Sequence, residues 1–394
     1  MIFAVIYLLG AIHGGILALV LAQKGENKLS NKILAVMMVV FSIDLGWAAF
    51  QLFGLLDQYT FLIGLDYPVT LLYGPLLYLY VETMRNGRLT LEPYDYLHFI
   101  PFFLLVLYML PFYMEPGWTK IIFLANPDNI ESSYDLNMIN HLKIIHVLLY
   151  IAGVIYMINS YRKKIKNTFS NIEKIKLNWL QYFIGGAVLV AGIGAVINFL
   201  PTSRPNIIIG MGKGIYNNIT LLSTTLFVYG IGYMGLYQPE VFARQMEKNT
   251  SGNIQRNSNR AVEGDEQREQ YQKSGLDKRE AQQYAEKLHK IMEDKKMYRD
   301  SDLKLSDLAE ELDISSHNLT EIINRYIGKN FYDFVNGYRI EEVKRTISDP
   351  GYNDLTLLAV GLNAGFNSKS TFNAVFKKQT GTTPSQFRKQ QQNI

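Results

Sequence analysis

Two short segments near the C-terminal end of the chain place polar side chains on what would be one face of a helix. Hydroxyl, imidazole, amide, carboxylate and ammonium groups hydrogen-bond to the edges of base pairs in a major groove. The residues expected to read bases are Ser316, His317, Thr320, Glu321, Asn324, Lys369, Ser370, Asn373 and Lys377. Positive side chains and helix N-termini bind phosphate oxygens. The residues expected to contact phosphates are Ser315, Asn367, Ser368, Lys378 and Arg388.

A helix-turn-helix pattern would position the first group of polar residues. Leu308 and Leu312 repeat at helical spacing, Asp313 marks the turn, and Ser315 can cap the next helix. The side chains expected to face inward from that next helix are Leu319, Ile322, Ile323 and Tyr326. The polar residues then lie on the outer face, which would enter a major groove.

The same apolar pattern recurs 52 residues later. The aligned pairs are Leu308 with Val360, Ala309 with Gly361, Leu312 with Ala364, Asp313 with Gly365 and Ile314 with Phe366; one residue further on, Leu319, Ile322 and Ile323 align with Phe372, Val375 and Phe376. A protein-binding helical bundle is the alternative, and the duplication argues against it. Two such copies could face successive major grooves about 34 Å apart.

Helical periodicity predicts the elements around these copies. The first unit is expected at about 303–327 and the second at about 355–379, joined by a continuous helix over 331–347. A lead helix is expected over 277–297, with one apolar face. That face consists of Ala281, Tyr284, Ala285, Leu288 and Ile291. Whether the lead helix joins this domain or pairs with a second chain is left open by the pattern.

Charge is distributed unevenly over the two copies. No acidic residue follows Asp354, whereas five basic residues do, so the second unit is suited to phosphates. The first unit is net acidic, and hydrogen bonding from His317, Thr320 and Asn324 is expected to be its main contribution.

The first 238 residues prefer lipid, because they hold only 27 of the 74 Asp, Glu, Lys and Arg side chains. Seven apolar stretches have about the length that a helix needs to cross a bilayer. They run over 2–21, 33–53, 61–81, 94–113, 144–161, 178–200 and 215–237. The fold class expected is all-α: a seven-helix transmembrane domain over 1–238, a flexible polar linker over 239–276 and a tandem helix-turn-helix domain over 277–394.

Basic residues in the connections predict the orientation. Connections after the first, third and fifth spans hold 11 Lys and Arg residues, and the alternate connections hold 4. Since basic loops are retained in the cytoplasm, the N-terminus is expected in the periplasm and the C-terminal domain in the cytoplasm, with the chain spanning the inner membrane several times.

Asp44 lies near the middle of the second span. An ionisable residue there is a candidate for sensing a ligand or a proton, and a hydrogen bond that locks two helices together is an equally weighted alternative. The chain has no cysteine, and no phosphate loop, metalloprotease signature or activated nucleophile is recognisable. No enzyme activity, metal or cofactor is therefore expected.

The C-terminal part resembles the AraC/XylS family of bacterial transcription regulators. The resemblance covers roughly 302–388 and rests on the segment LSDLAEELDIS, the pair Arg339 and Ile340, and the segment AGFNSKSTFNAVFKKQTGTTPSQFR over 364–388. The hydrophobic half resembles the seven-span region attached to such domains in Bacteroidetes-type regulators, through GPLLYLYVE over 74–82 and HFIPF over 98–102.

The resemblance implies binding to promoter DNA, contact with RNA polymerase and commonly activation, with an unknown effector and a possible homodimer. The sequence departs from the family at several positions. Asp313 stands where the family usually has Gly, Gly361 and Val343 stand where it usually has Ala, and Glu321 and Ala374 stand where it often has Arg.

The expected function is thus a membrane-bound, sequence-specific DNA-binding regulator that couples a membrane or periplasmic signal to a promoter. The alternatives are a transporter or membrane enzyme with a regulatory DNA-binding tail, and a regulator that proteolysis of the linker releases from the bilayer.

Overall fold

A computed structural model describes residues 1–25, 28–125, 136–173, 181, 184–186, 188–190, 192–193, 221–230, 277–352 and 354–392. The chain divides into two compact units, one formed by Met1–Ile158 with Leu177–Thr250 and the other by Asn159–Lys176 with Ser251–Ile394. The described residues form helices and no β-strand, which agrees with the expected all-α class. The segment Asn159–Lys176 belongs to the C-terminal unit, which the sequence did not indicate.

The first unit begins with two long apolar helices, α1 (Ile2–Gln23) and α2 (Lys28–Leu52). They approach closely because α1 has glycine at the crossing. A Cβ atom added to Gly14 would lie 2.4 Å from the Ser42 side-chain oxygen. Small residues at such crossings are typical of helix pairs in membranes.

The third predicted span differs from the structure. Instead of one helix over 61–81, short 3₁₀ turns occupy this region and the α-helix α3 starts only at Tyr73 and ends at Asn86. Gly64 has a φ of +87°, outside helical values, and Pro68 lacks the N–H that a continuous helix would use. The prediction of one continuous helix over 61–81 is therefore wrong.

Three further helices follow: α4 (Ile100–Met114), preceded by a 3₁₀ segment Pro93–Phe99, then α5 (Gly117–Ala125) and α6 (Leu136–Thr168). A shorter apolar helix, α7, covers Leu221–Gly230. Within the described ranges, four helices are long and apolar enough to cross a membrane. They are Ile2–Gln23, Lys28–Leu52, Pro93–Met114 and Met138–Thr168. The predicted sixth and seventh spans lie mostly outside the described residues, as does the predicted linker 239–276.

The C-terminal unit contains seven α-helices among its residues from 277 to 392: α8 (Lys278–Asp294), α9 (Leu305–Glu311), α10 (Ser316–Glu321), α11 (Phe331–Ser348), α12 (Leu357–Asn363), α13 (Lys369–Thr380) and α14 (Pro384–Gln392). The helix pairs α9–α10 and α12–α13 are the two expected copies. The lead helix α8 packs on the first copy, with Leu288 and Met292 fully buried in its core. Helix α14 was not expected from the sequence.

Two apolar cores lie in this unit, and helix α11 contributes to both. Its N-terminal half places Phe331, Phe334 and Val335 in the core of the first copy. Its C-terminal half places Ile340, Val343 and Ile347 in the core of the second copy. One continuous helix therefore sets the separation between the two copies.

The two copies share the geometry of their turns. Asp313 and Gly365, which the sequence alignment paired, both have positive φ values, of 54° and 98°. The backbone N–H of Ile314 donates to Ala309 O at 3.0 Å, and that of Phe366 donates to Gly361 O at 3.1 Å. Aligned positions thus make the same hydrogen bond 52 residues apart.

Replacing Asp313 with glycine is expected to raise the free energy of unfolding of this unit by about 0.5 to 1 kcal/mol, because a side chain is disfavoured at positive φ. The matched change Gly365→Ala should lower it by about 2 kcal/mol. An added Cβ there would lie 2.4 Å from the Tyr298 carbonyl oxygen. Urea midpoints measured by pulse proteolysis of the full chain in nanodiscs check both signs; equal midpoints would contradict the argument.

One inward-facing expectation is wrong. Tyr326 is 39% exposed, whereas Leu319, Ile322 and Ile323 are buried as expected. The end of the second helix of the first copy, Ile322–Tyr326, is a π-helical turn. A π-turn adds a residue to each turn and so rotates later side chains away from the 3.6-residue register.

Candidate nucleic-acid interface

Helix α13 presents a polar face opposite an apolar one. Phe372, Val375 and Phe376 are buried in the core of the second copy. The exposed residues of α13 that were expected to read bases are Lys369, Ser370, Asn373 and Lys377. Ser368 caps the helix, since its hydroxyl accepts the Thr371 N–H at 3.2 Å. The cap fixes where the helix begins and so which side chains lie on the outer face.

Helix α10 presents the corresponding face of the first copy. Ser315 caps it by accepting the Asn318 N–H at 3.1 Å. Of the residues expected to read bases, Ser316, His317 and Asn324 are exposed. Thr320 and Glu321 are partly buried and already bonded. The Thr320 hydroxyl donates to Ser316 O at 2.7 Å, and Arg325 donates to the Glu321 carboxylate at 2.5 Å.

The residues expected to contact phosphates differ in their exposure and in the bonds that they already make. Asn367 and Lys378 are exposed, but Lys378 forms an ion pair with Asp333 at 3.0 Å. Arg388 is partly buried and donates to Leu355 O at 2.9 Å, so part of its guanidinium holds the fold together. Arg388 therefore has a structural role, as do the capping residues Ser315 and Ser368.

The Asp333 carboxylate is held ionised by its partners. Burial raises its pKa, but hydrogen bonds from Lys378 and Asn330 outweigh that effect, so the pKa lies below its ordinary value. A lowered pKa in the folded state adds stability at neutral pH that is lost as the pH falls through the acidic range. Lys378 must leave this pair to reach a phosphate.

Arg339 is almost fully buried, with 1% exposure, at the centre of the unit. Its Nε donates to Tyr298 O at 2.7 Å and its Nη2 to Asp300 O at 2.7 Å. Burial lowers its pKa to about 10, so the guanidinium remains charged at neutral pH. The Tyr298 carbonyl is also the group that lies against Gly365 in the turn of the second copy. Arg339 therefore holds the carbonyl that packs against that turn. The family pattern singled out this residue without giving it a role.

The segment Phe169–Glu173, which we call the strap, is part of this unit and packs against its helices. The sequence did not predict these contacts. Ser170 donates through its hydroxyl to Leu303 O at 2.7 Å and is buried. Phe169 forms an antiparallel bridge with Lys304. The Glu173 carboxylate accepts from Ser370 at 2.7 Å and also from Ser368. No local sequence signal could have found these contacts, because the hydrogen-bond partners are 133 to 197 residues apart.

Asp44, the candidate for membrane sensing, accepts a hydrogen bond from the Tyr73 hydroxyl at 2.6 Å. Tyr73 is the first residue of α3, so this bond joins α2 to α3. The helix-locking alternative is therefore observed, and sensing by Asp44 stays a prediction. His98 and Tyr150 form a similar side-chain bond at 2.8 Å in the same unit.

Comparison with known proteins supports DNA binding and transcription regulation for the C-terminal region. Residues 308–390 match the family model described as a helix-turn-helix domain. Over 103 residues the chain is 31% identical to an uncharacterized HTH-type transcriptional regulator of Staphylococcus aureus strain COL, covering 26% of this chain and 13% of that protein.

Over 90 residues it is 31% identical to the melibiose operon regulatory protein of Escherichia coli strain K12, covering 23% of this chain and 29% of that protein. The chain thus matches less than a third of the length of either relative. No solved structure matches it. The C-terminal region carries an AraC-type helix-turn-helix domain and is homologous to HTH-type regulators; the comparisons do not extend to the hydrophobic half.

Proposed function

We propose that this protein is a membrane-bound transcription regulator that binds promoter DNA through helices α10 and α13. The observation that carries the proposal is the repeated turn, in which the Ile314 N–H donates to Ala309 O and the Phe366 N–H donates to Gly361 O. Each turn is followed by a helix that has a side-chain cap at its N-terminus and an exposed polar face. Similarity to the melibiose operon regulatory protein supports a role in regulating an operon, and contact with RNA polymerase is part of the proposal.

The hydrophobic unit would anchor the protein in the inner membrane. Four apolar helices of sufficient length support this, and the basic residues of the connections favour a periplasmic N-terminus and a cytoplasmic C-terminal unit. A signal within the bilayer or from the periplasm would then change how the DNA-binding helices are presented. A coupling free energy of about 1 to 3 kcal/mol is enough for a 5- to 150-fold change in DNA affinity.

The test uses the full chain in nanodiscs and fragments of the genome that encodes it. Fragments retained by the protein are sequenced, and protection of the enriched sites is mapped at fixed salt, because salt alone changes DNA affinity strongly. We expect protected half-sites in successive major grooves, about 34 Å apart. Retention without sequence enrichment would contradict a specific regulator, and no retention would contradict DNA binding itself.

A further inference from the structure

We propose that the strap, residues 169–173, is an intramolecular competitor of DNA for the second recognition helix, α13. This inference rests on the proposed function, because it assumes that α13 enters a major groove. It adds a regulatory contact that lies between the fifth and sixth predicted spans and therefore in the part of the chain that would respond to the membrane.

The strap occupies the end of α13 that would meet DNA first. The Glu173 carboxylate accepts hydrogen bonds from Ser370 at 2.7 Å and from Thr371 at 2.8 Å, and a further one from the capping residue Ser368. All three donors belong to the N-terminal turn of α13 or its cap. Recognition helices place this end against base edges and phosphates, so Glu173 and DNA need the same donors.

Glu173 also matches the chemistry of the ligand that it would displace. A helix N-terminus attracts negative charge because its first N–H groups point outward. A carboxylate bound there takes the position that a phosphate oxygen would occupy. It would also repel an approaching DNA backbone, so a docked strap opposes binding both by occupancy and by charge.

The other end of the strap is anchored more firmly than Glu173. Ser170 is 1% exposed, and its carbonyl oxygen accepts from Asn336 and from Arg339, each at 3.3 Å. Its backbone N–H donates to Leu303 O at 3.2 Å. These partners lie on α11 and just before α9, so the anchor contacts the elements that position both copies.

The contacts between Glu173 and α13 can break more easily than those of Ser170. Glu173 is exposed, and an open pocket of about 730 Å³ lies beside it. Asn367 and Ser368, two of the residues expected to contact phosphates, line that pocket together with Asn171 and Glu173. Exposed polar contacts of this kind contribute little net free energy each, so a change in the preceding helix α6 could free α13 without unfolding the unit.

The first test is Glu173→Ala in the full chain in nanodiscs, with a duplex selected on the wild-type protein from a random-sequence library. Removing the carboxylate should tighten DNA binding about 10-fold, within the range of ordinary coupling between sites. The matched control is Glu280→Ala, which removes the same charge from an exposed position on α8. The control should bind as the wild type does.

The second test reads the strap directly and uses the absence of cysteine from the chain. In an Ile172→Cys variant, the one thiol should react slowly with a maleimide, because position 172, beside Glu173, is buried with 4% exposure. Adding the selected duplex should accelerate the reaction, since DNA and the docked strap exclude each other. A rate that DNA leaves unchanged or lowers would overturn the proposal.

The outcomes separate this inference from the proposed function. If the wild type, Glu173→Ala and Glu280→Ala bind the duplex with equal affinity, the strap is not a competitor and the DNA-binding function stands. If separate selections on the wild type and on Glu173→Ala both yield no bound duplex, the DNA-binding function fails, and the competitor role fails with it. If Glu173→Ala alone binds, the strap is a strong inhibitor.

Discussion

Replacing Arg339 with methionine is expected to lower the free energy of unfolding of the C-terminal unit by about 3 to 5 kcal/mol, because it breaks a buried hydrogen-bond network. Five hydrogen bonds leave this guanidinium, to Tyr298 O, Asp300 O, Asn336 Oδ1, and both the carbonyl and the hydroxyl of Ser170. Methionine has a similar length and fills the space, so the loss comes from the five hydrogen bonds rather than from packing. The Tyr298 carbonyl loses its Arg339 donor, whereas Ser170 O still accepts from Asn336.

The measurement is a urea midpoint from pulse proteolysis of the full chain in nanodiscs, following fragments of the C-terminal unit. Arg345→Met is the matched control, because Arg345 is an exposed residue on the same helix and should change the free energy of unfolding by less than about 0.5 kcal/mol. Arg339→Lys should fall between the two, since an ammonium cannot reach all of these acceptors. Equal midpoints for the two methionine variants would show that the network is not a source of stability.

The hydrogen-bond partners of Arg339 could not be predicted from the sequence. The residue was noticeable as half of the family pair Arg339 and Ile340, but its partners could not be named. Tyr298 and Asp300 lie about 40 residues away and Ser170 lies 169 residues away. Helical periodicity reports which face of a helix is buried; it carries no information about which distant carbonyl a buried guanidinium will meet.

The helices of the C-terminal unit were accessible from sequence for a physical reason. The expected helices bury apolar side chains at helical spacing, and several begin at a side chain that caps the backbone, as Ser315 and Ser368 do. Helix α14, which was not expected, buries only Pro384. The errors arose where local geometry departs from an ideal α-helix. The π-turn over Ile322–Tyr326 turned Tyr326 outward, and an apolar stretch interrupted near Gly64 and Pro68 was mistaken for a continuous third span.

The contacts of the strap could not be predicted from the sequence for a different reason. Residues 169–173 read as a short polar connection after a basic run, and nothing in their spacing indicates a partner. Their contacts arise from tertiary structure alone. For the same reason the candidate site was only partly accessible: the exposed face of α13 follows from its period, whereas its contact with Glu173 does not.

The double variant Lys369→Ala, Asn373→Ala is expected to weaken specific DNA binding by at least about 30-fold while leaving the urea midpoint unchanged. Both side chains are exposed on α13, away from the buried Phe372 and Phe376. Lys and Asn are suited to guanine and adenine edges, and each good base contact contributes about 1 to 3 kcal/mol of discrimination. Two such losses together account for the expected factor.

The matched control is the double variant Gln283→Ala, Lys290→Ala. Both residues are exposed on α8, and the two substitutions remove one positive charge and one amide away from α13. Affinity for the selected site and for a scrambled duplex is measured over a series of salt concentrations. A residue that reads bases lowers the ratio of these affinities, whereas a phosphate contact weakens both and lowers the salt slope by about 1. Lys378→Ala should show the second behaviour.

The salt series thus separates two ways in which the assignment of α13 can fail. If the double variant weakens both duplexes equally, Lys369 and Asn373 contact the backbone and the bases are read by other residues of the helix. If neither affinity changes, the polar face of α13 does not meet DNA at all, and the Glu173 carboxylate bound at its N-terminus cannot be a competitor. We expect the double variant to remain folded, because the apolar face of α13 is unchanged. It should lose affinity for the selected duplex and keep its affinity for the scrambled one, because the exposed polar face reads the bases.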